Sequence, residues 1–130
     1  MAADFNATTS KITTSYTTHA TLRSYSFWYR KDTSGEGGLG RIFDKRTAGA
    51  SVELIFCDNV TADRLKYARQ LSGGERSWRF SSGTDAALHH MLITYDAANP
   101  ETAPIIYLDG SSTSPTLENS GTGTANTNTD

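Results

Sequence analysis

The sequence predicts an all-β domain, and three observations carry that prediction. Thr and Ser are abundant, at 19 and 14 of 130 residues. Thr favours strands and Ser favours turns. The apolar residues fall in short runs separated by Gly, Asn, Asp and Pro, the punctuation of a sandwich or barrel. Ala, Leu, Glu and Lys, the staples of a helical domain, do not dominate any segment.

The elements follow in chain order. Lys11–Thr18 reads as a Thr-rich strand near an edge. Thr21–Lys31 is the most aromatic strand, and period-two alternation sets Tyr25, Phe27 and Tyr29 on one face and Trp28 on the other. Ser34–Gly40 is a Gly-rich turn, followed by a short strand, Arg41–Lys45, around Ile42 and Phe43. Ser51–Cys57 carries Val52, Leu54 and Phe56 on one face and Glu53, Ile55 and Cys57 on the other, so both faces are partly apolar. Arg64–Leu71 has Leu65, Tyr67 and Leu71 at even spacing and reads as a strand. A helix over Thr61–Leu71, capped by Thr61, is the competing reading. Ser72–Glu75 is a hairpin turn before a brief strand at Trp78–Phe80. His89–Tyr95 and Pro104–Asp109 form a pair joined by a polar loop, and Asp109-Gly110 is a strong turn signal. The apolar members of the best-marked strands give the expected core: Phe27, Trp28, Phe43, Leu54, Phe56, Leu92, Ile105, Tyr107 and Leu108. From Asn119 onward nothing is apolar enough to anchor, so residues 119–130 read as a loop or tail behind a domain of residues 1–118.

Composition narrows the function classes. The chain is 36% hydrophobic and 10% aromatic, enough for one packed core. Its net charge of -2 argues against a dedicated nucleic-acid binder, which carries a basic excess. No apolar run approaches the ~20 residues of a membrane helix, and the first residues show no secretory signal pattern. A single cysteine, Cys57, leaves no pair for an internal disulfide or a Cys-based zinc site.

Three segments, in order, resemble the laminin G-like branch of the concanavalin A-like lectin/glucanase superfamily. They are Tyr25-Ser-Phe-Trp-Tyr-Arg30, Arg41-Ile-Phe-Asp-Lys45, and His89-His-Met-Leu-Ile-Thr-Tyr-Asp96 with Ile105-Ile-Tyr-Leu-Asp-Gly110. The opening Asp4-Phe5-Asn6 is similar to that family's first strand. The resemblance implies a jelly-roll sandwich of two antiparallel sheets and a module that binds rather than catalyses. With no signal pattern and no disulfide, it suggests a phage virion surface protein used for decoration, as a fibre or for adhesion. A lectin-like glycan binder, calcium-dependent in some relatives, is the alternative. The family continues beyond the Asp-Gly turn into a closing strand, whereas here only Leu117 and polar residues follow. The chain is then a fragment, a minimal variant, or a subunit whose edge is completed by another copy or by a larger assembly.

The candidate chemistry is sparse. Glycosidases of this superfamily set paired carboxylates on one strand face. Glu36, Glu53, Glu75, Glu101 and Glu118 are too scattered for that, and Glu53, the only one within a strand, reads as a solvent or rim carboxylate, so no enzyme is expected. His89 and His90 are adjacent in a strand and point to opposite faces, so one packs inside and one is exposed. Calcium needs clustered oxygen ligands, and Asp96, Asn99 and Glu101 share one loop while Asp58, Asn59 and Asp63 share another. A sugar site needs an exposed ring beside polar groups. Of Trp28, Trp78, Tyr29, Tyr67 and Tyr95, Trp78 is the candidate because Arg76 and Arg79 flank it after a Gly-Gly turn. Arg64, Lys66 and Arg69 read as a solvated face.

Overall fold

Alternating burial fixes the architecture. A computed structural model describes residues 22–30, 39–47, 50–58, 64–80 and 86–125. Nine strands lie among the described residues: β1 Leu22–Arg30, β2 Leu39–Thr47, β3 Ala50–Asp58, β4 Arg64–Leu71, β5 Gly74–Phe80, β6 Leu88–Asp96, β7 Ile105–Leu108, β8 Ser111–Thr113 and β9 Thr116–Ser120. They form two antiparallel sheets packed as a sandwich, one of four strands in the order β1-β6-β7-β8 and one of five in the order β2-β3-β4-β5-β9. Consecutive strands pair through β2 to β5 and through β6 to β8, while β1 and β9 close the sheets from distant parts of the chain.

In β6, residues 89, 91, 93 and 95 are buried while their neighbours are not. Met91, Ile93 and Tyr95 therefore meet Ile55, Leu65, Tyr67, Trp78 and Phe80 of the other sheet, and Ile106 and Leu108 extend the layer. Aromatic rings dominate this core. Tyr67 stacks on Trp78 at 6.1 Å, and Tyr95 packs against both, at 5.4 and 6.2 Å. Arg64–Leu71 is a strand, which decides against the helical alternative there; Thr61 lies outside the described residues. So do the expected strand Lys11–Thr18 and most of the Ser34–Gly40 turn.

The expected core is correct in part. Phe56 and Leu108 are buried, and Phe27 and Phe43 pack partly buried against the cluster. Leu54 and Leu92 are only half-buried. Trp28, Ile105 and Tyr107 are exposed, which corrects three members of the set. The run Ile105-Ile-Tyr-Leu108 is apolar throughout, so its sequence names no inward face. The pairing Ile93↔Ile106 and Met91↔Leu108 turns the even-numbered residues inward.

The polar C-terminal stretch also differs from expectation. It supplies β8 and β9, and β9 takes the edge beside β5, where the closing strand had looked missing. The boundary expected after Glu118 falls inside β9. Beyond it, Ser72 and Gly73 donate backbone hydrogen bonds to Thr124 and Thr122, and Gly121 donates to Glu75. Among the described residues, β9 is in turn the outer strand of that sheet.

Candidate functional site

The outward face of the four-stranded sheet gathers an open aromatic and hydroxyl-bearing surface. β1 sets Arg23, Tyr25, Phe27 and Tyr29 toward the core, so Ser24, Ser26 and Trp28 face out. Trp28 is 66% exposed, an unusual position for one of the chain's two indole rings. Its cross-strand partner is His90, with ring centroids 5.0 Å apart at 51°. Ser26 Oγ lies 2.9 Å from His90 Nε2, and Ser24 Oγ lies 3.2 Å from Thr94 Oγ1. Across β6, Leu92 pairs with Tyr107 and Thr94 with Ile105, and Tyr107 pairs with Ser112 of β8. Tyr107 is 38% exposed. Among the described residues of this face, Arg30 and Asp96 stand at opposite ends of the paired β1 and β6, and the middle rows hold no Asp, Glu, Lys or Arg.

A clamp at the β7–β8 turn holds this face in register. Asp109 and Gly110 both have positive φ, 50° and 79°, the geometry of a two-residue type I′ hairpin. Asp109 Oδ2 lies 2.7 Å from His89 Nδ1, and Asp109 Oδ1 accepts the His90 backbone N–H at 2.8 Å. The Asp109 N–H returns a bond to the His90 carbonyl at 2.9 Å. The hydrogen bond from the His89 ring first, and the His90 N–H second, hold the Asp109 carboxyl below its ordinary range. Both carboxylate oxygens are thus committed to the His89 ring and the His90 main chain. The Ser26–His90 pair is therefore not oriented by Asp109 in the manner of a Ser-His-Asp relay.

The residues expected to bind ligand are divided by the strand's own alternation. Trp78 is 2% exposed and belongs to the core, which corrects its assignment as an exposed platform. Arg76 lies on the same face, its guanidinium 5.6 Å from the Trp78 ring centroid and its Nη1 donating to the Gly121 carbonyl at 3.0 Å. Arg79 points to the opposite face and is exposed. The three do not converge. Nor do Asp96, Asn99 and Glu101 form a ligand set. Asp96 accepts the Ala98 N–H at 2.8 Å and the Asn99 amide at 2.7 Å, a turn geometry that lowers its pKa, with the Asn99 bond the larger cause. Glu101 is directed to the Gly123 N–H at 3.4 Å and to Arg76 at 4.0 Å. Among the described residues no group of three or more His, Cys, Asp or Glu is placed to hold a metal. An open cleft of about 300 Å³ lies along this loop, lined by residues 98–102 and Gly123. Of the other oxygen set, Asn59 and Asp63 lie outside the described residues.

Glu53, expected at the solvent or the rim, is 1% exposed, a correction of chemical consequence. It shares its face with Ile55, and that face turns inward. Arg23 Nη1 and the Tyr25 hydroxyl each donate to Oε2 at 2.9 Å, and the Tyr67 hydroxyl donates to Oε1. Arg69, expected in a solvated face, is 2% exposed, with Nη1 3.7 Å from Glu53 Oε1 and its guanidinium 4.8 Å from the Tyr95 ring centroid. Burial, then the Glu53 charge, push the Tyr25 and Tyr67 hydroxyls well above their ordinary pKa. This is a closed network between the sheets, with its carboxylate buried. Arg64 and Lys66, expected in the same solvated face, are largely covered, at 14% and 12% side-chain exposure, and Glu118 pairs with both.

No family model, curated protein or solved structure matches the chain.

Proposed function

We propose that the chain is a non-catalytic binding module of laminin G-like, jelly-roll type, working at the surface of a virion or cell through the open face of its four-stranded sheet. The observation that carries this reading is Trp28, held on a rigid strand by His90 yet 66% exposed to solvent. An exposed indole fixed by a neighbour is costly to leave in water and is the kind of anchor that binding surfaces use. The lone, buried Glu53 supports the non-enzymatic part, because glycoside hydrolysis needs two carboxylates flanking a bound sugar. The resemblance in sequence and the two antiparallel sheets support the family part.

The test uses fluorescently labelled full-length chain and intact cells as the capture surface. Saturable retention is expected, with no soluble fragments released from the surface. Trp28→Ala should weaken retention by about tenfold, the scale of one anchor, while Arg79→Ala leaves it unchanged. Retention that ignores Trp28 contradicts the reading.

A further inference from the structure

Two arginines stand side by side between the sheets with more donors than acceptors around them. Arg69 of β4 and Arg76 of β5 are cross-strand partners, and both guanidiniums lie over core rings, of Tyr95 and Trp78. Directly opposed residues of an antiparallel pair hold their Cβ atoms about 5 Å apart, and like charges there repel. Arg69 is 2% exposed, and its Nε and Nη1 have no hydrogen-bond partner among the described residues. The buried Arg76 Nε is equally unmatched. Glu53 does not supply the acceptor. It already accepts from Arg23, Tyr25 and Tyr67, and its Oε1 stays 3.7 Å from Arg69 Nη1. Arg76 Nη1 donates to the Gly121 carbonyl at 3.0 Å, while Glu101 stands 4.0 Å away, beyond hydrogen-bond reach. Unmatched buried donors are costly, and a bound ion or water is the usual remedy.

The donor set names the ligand. Guanidinium N–H groups pair best with the oxygens of a carboxylate, sulfate or phosphate, and two guanidiniums this close can share one such group. An approach exists, because the open cleft of about 300 Å³ adjoins the pair. Of the residues lining it, the Pro100 carbonyl accepts the Tyr95 hydroxyl at 2.8 Å, beside the Arg69 guanidinium, and Glu101 is the carboxylate facing Arg76. The geometry points to a binding site for a small free oxyanion that bridges Arg69 and Arg76 and enters along residues 98–102. Glu101, more than half exposed, stands at the entrance as a competing carboxylate. The site lies between the sheets and is independent of the Trp28 face. An oxyanion held there only by the folded chain stabilises the fold.

The test is a titration of the ¹⁵N-labelled full chain with sodium phosphate, sulfate or acetate at neutral pH, chloride keeping the ionic strength constant. The arginine Nε–H signals report on the site directly. Those of Arg69 and Arg76 should shift along a saturable curve with at least one of the three anions, and the thermal midpoint should rise over the same concentrations. The Trp28 indole signal should not move. Comparing acetate with the other two separates a carboxylate site from a sulfate or phosphate site. Arg76→Gln should lower the affinity about tenfold. Glu101→Gln should raise it several-fold by removing the competing carboxylate, and Arg79→Ala should leave it unchanged. Melts of each variant without added oxyanion separate lost binding from lost folding. Should Arg76→Gln fail to fold, the Nε–H shifts of the unaltered chain decide alone. Signals that stay fixed with all three anions overturn the inference. So do shifts that chloride reproduces at equal concentration, or an affinity untouched by a folded Arg76→Gln variant. Each of these outcomes leaves the Trp28 reading as it stands, and retention on cells that ignores Trp28 leaves this site as it stands.

Discussion

Glu53 shows how one residue organises the interior. Its carboxylate accepts from Arg23, Tyr25 and Tyr67 and stands 3.7 Å from Arg69, in a position from which water is excluded. Arg69 Nε and Nη1 find no hydrogen-bond partner among the described residues, so the nearby carboxylate and the Tyr95 ring are what offset its charge. Replacing Glu53 with Gln removes that counter-charge and is expected to cost about 3–5 kcal/mol, the range for breaking a buried ion pair. Urea unfolding at neutral pH measures it, and a midpoint equal to wild type would show that the cluster is not a network. The sequence concealed this role because Glu53 alternates with Val52 and Leu54, and either face of that strand is apolar enough to be the inner one. The same ambiguity exchanged the two tryptophans. Each sits among aromatic and basic neighbours, and only the pairing of its strand decides that Trp28 faces out and Trp78 faces in.

Among the elements, β1, β3, β4, β6 and β7 were legible because their apolar residues recur at strand spacing and Gly, Asp or Asn punctuates their ends. β9 was not, since an edge strand is held by backbone hydrogen bonds that any side chain permits. Its one large apolar residue, Leu117, is exposed, and Glu118 is engaged by Arg64 and Lys66. The chain beyond β9 is fastened by close approach. A Cβ on Gly121 would lie 2.4 Å from the Gly74 carbonyl oxygen and 2.5 Å from that of Glu75. Gly121→Ala therefore forces backbone apart and is expected to destabilise by roughly 1–3 kcal/mol. Hydrogen exchange supplies the check, because the Ser72 and Gly73 amides, which donate to Thr124 and Thr122, should lose protection first. Unchanged protection at both would mean that the segment after β9 is not fastened by this contact.

For the molecule as a whole, the sandwich keeps several tyrosines neutral in its interior. Tyr25 and Tyr67 are raised by burial and then by Glu53, and Tyr95 is raised to about 12, chiefly by burial. A group whose folded pKa lies above its unfolded value stabilises the fold fully below that unfolded value. Its contribution is lost as pH rises toward the folded one. Stability should therefore hold up to about pH 10, the ordinary tyrosine value. Above it, stability should fall by about 1.4 kcal/mol per pH unit for each such tyrosine. Denaturant unfolding between pH 9 and 12 reads this slope, and Tyr67→Phe should make it shallower; an equal slope in that variant would remove Tyr67 from the account. The legible strand pattern implied a sandwich, but which residues face outward followed only once the sheets were paired, because the same apolar alternation serves either side of a sheet. The central claim, that Trp28 faces outward on the proposed binding face and Trp78 lies in the core, is tested most directly by the two indole N–H signals in a ¹H–¹⁵N spectrum of the wild-type chain. One signal, assigned to Trp28, should exchange rapidly with solvent, while the Trp78 signal stays protected. A solvent-protected Trp28, or a Trp78 signal that exchanges as fast, would contradict the account.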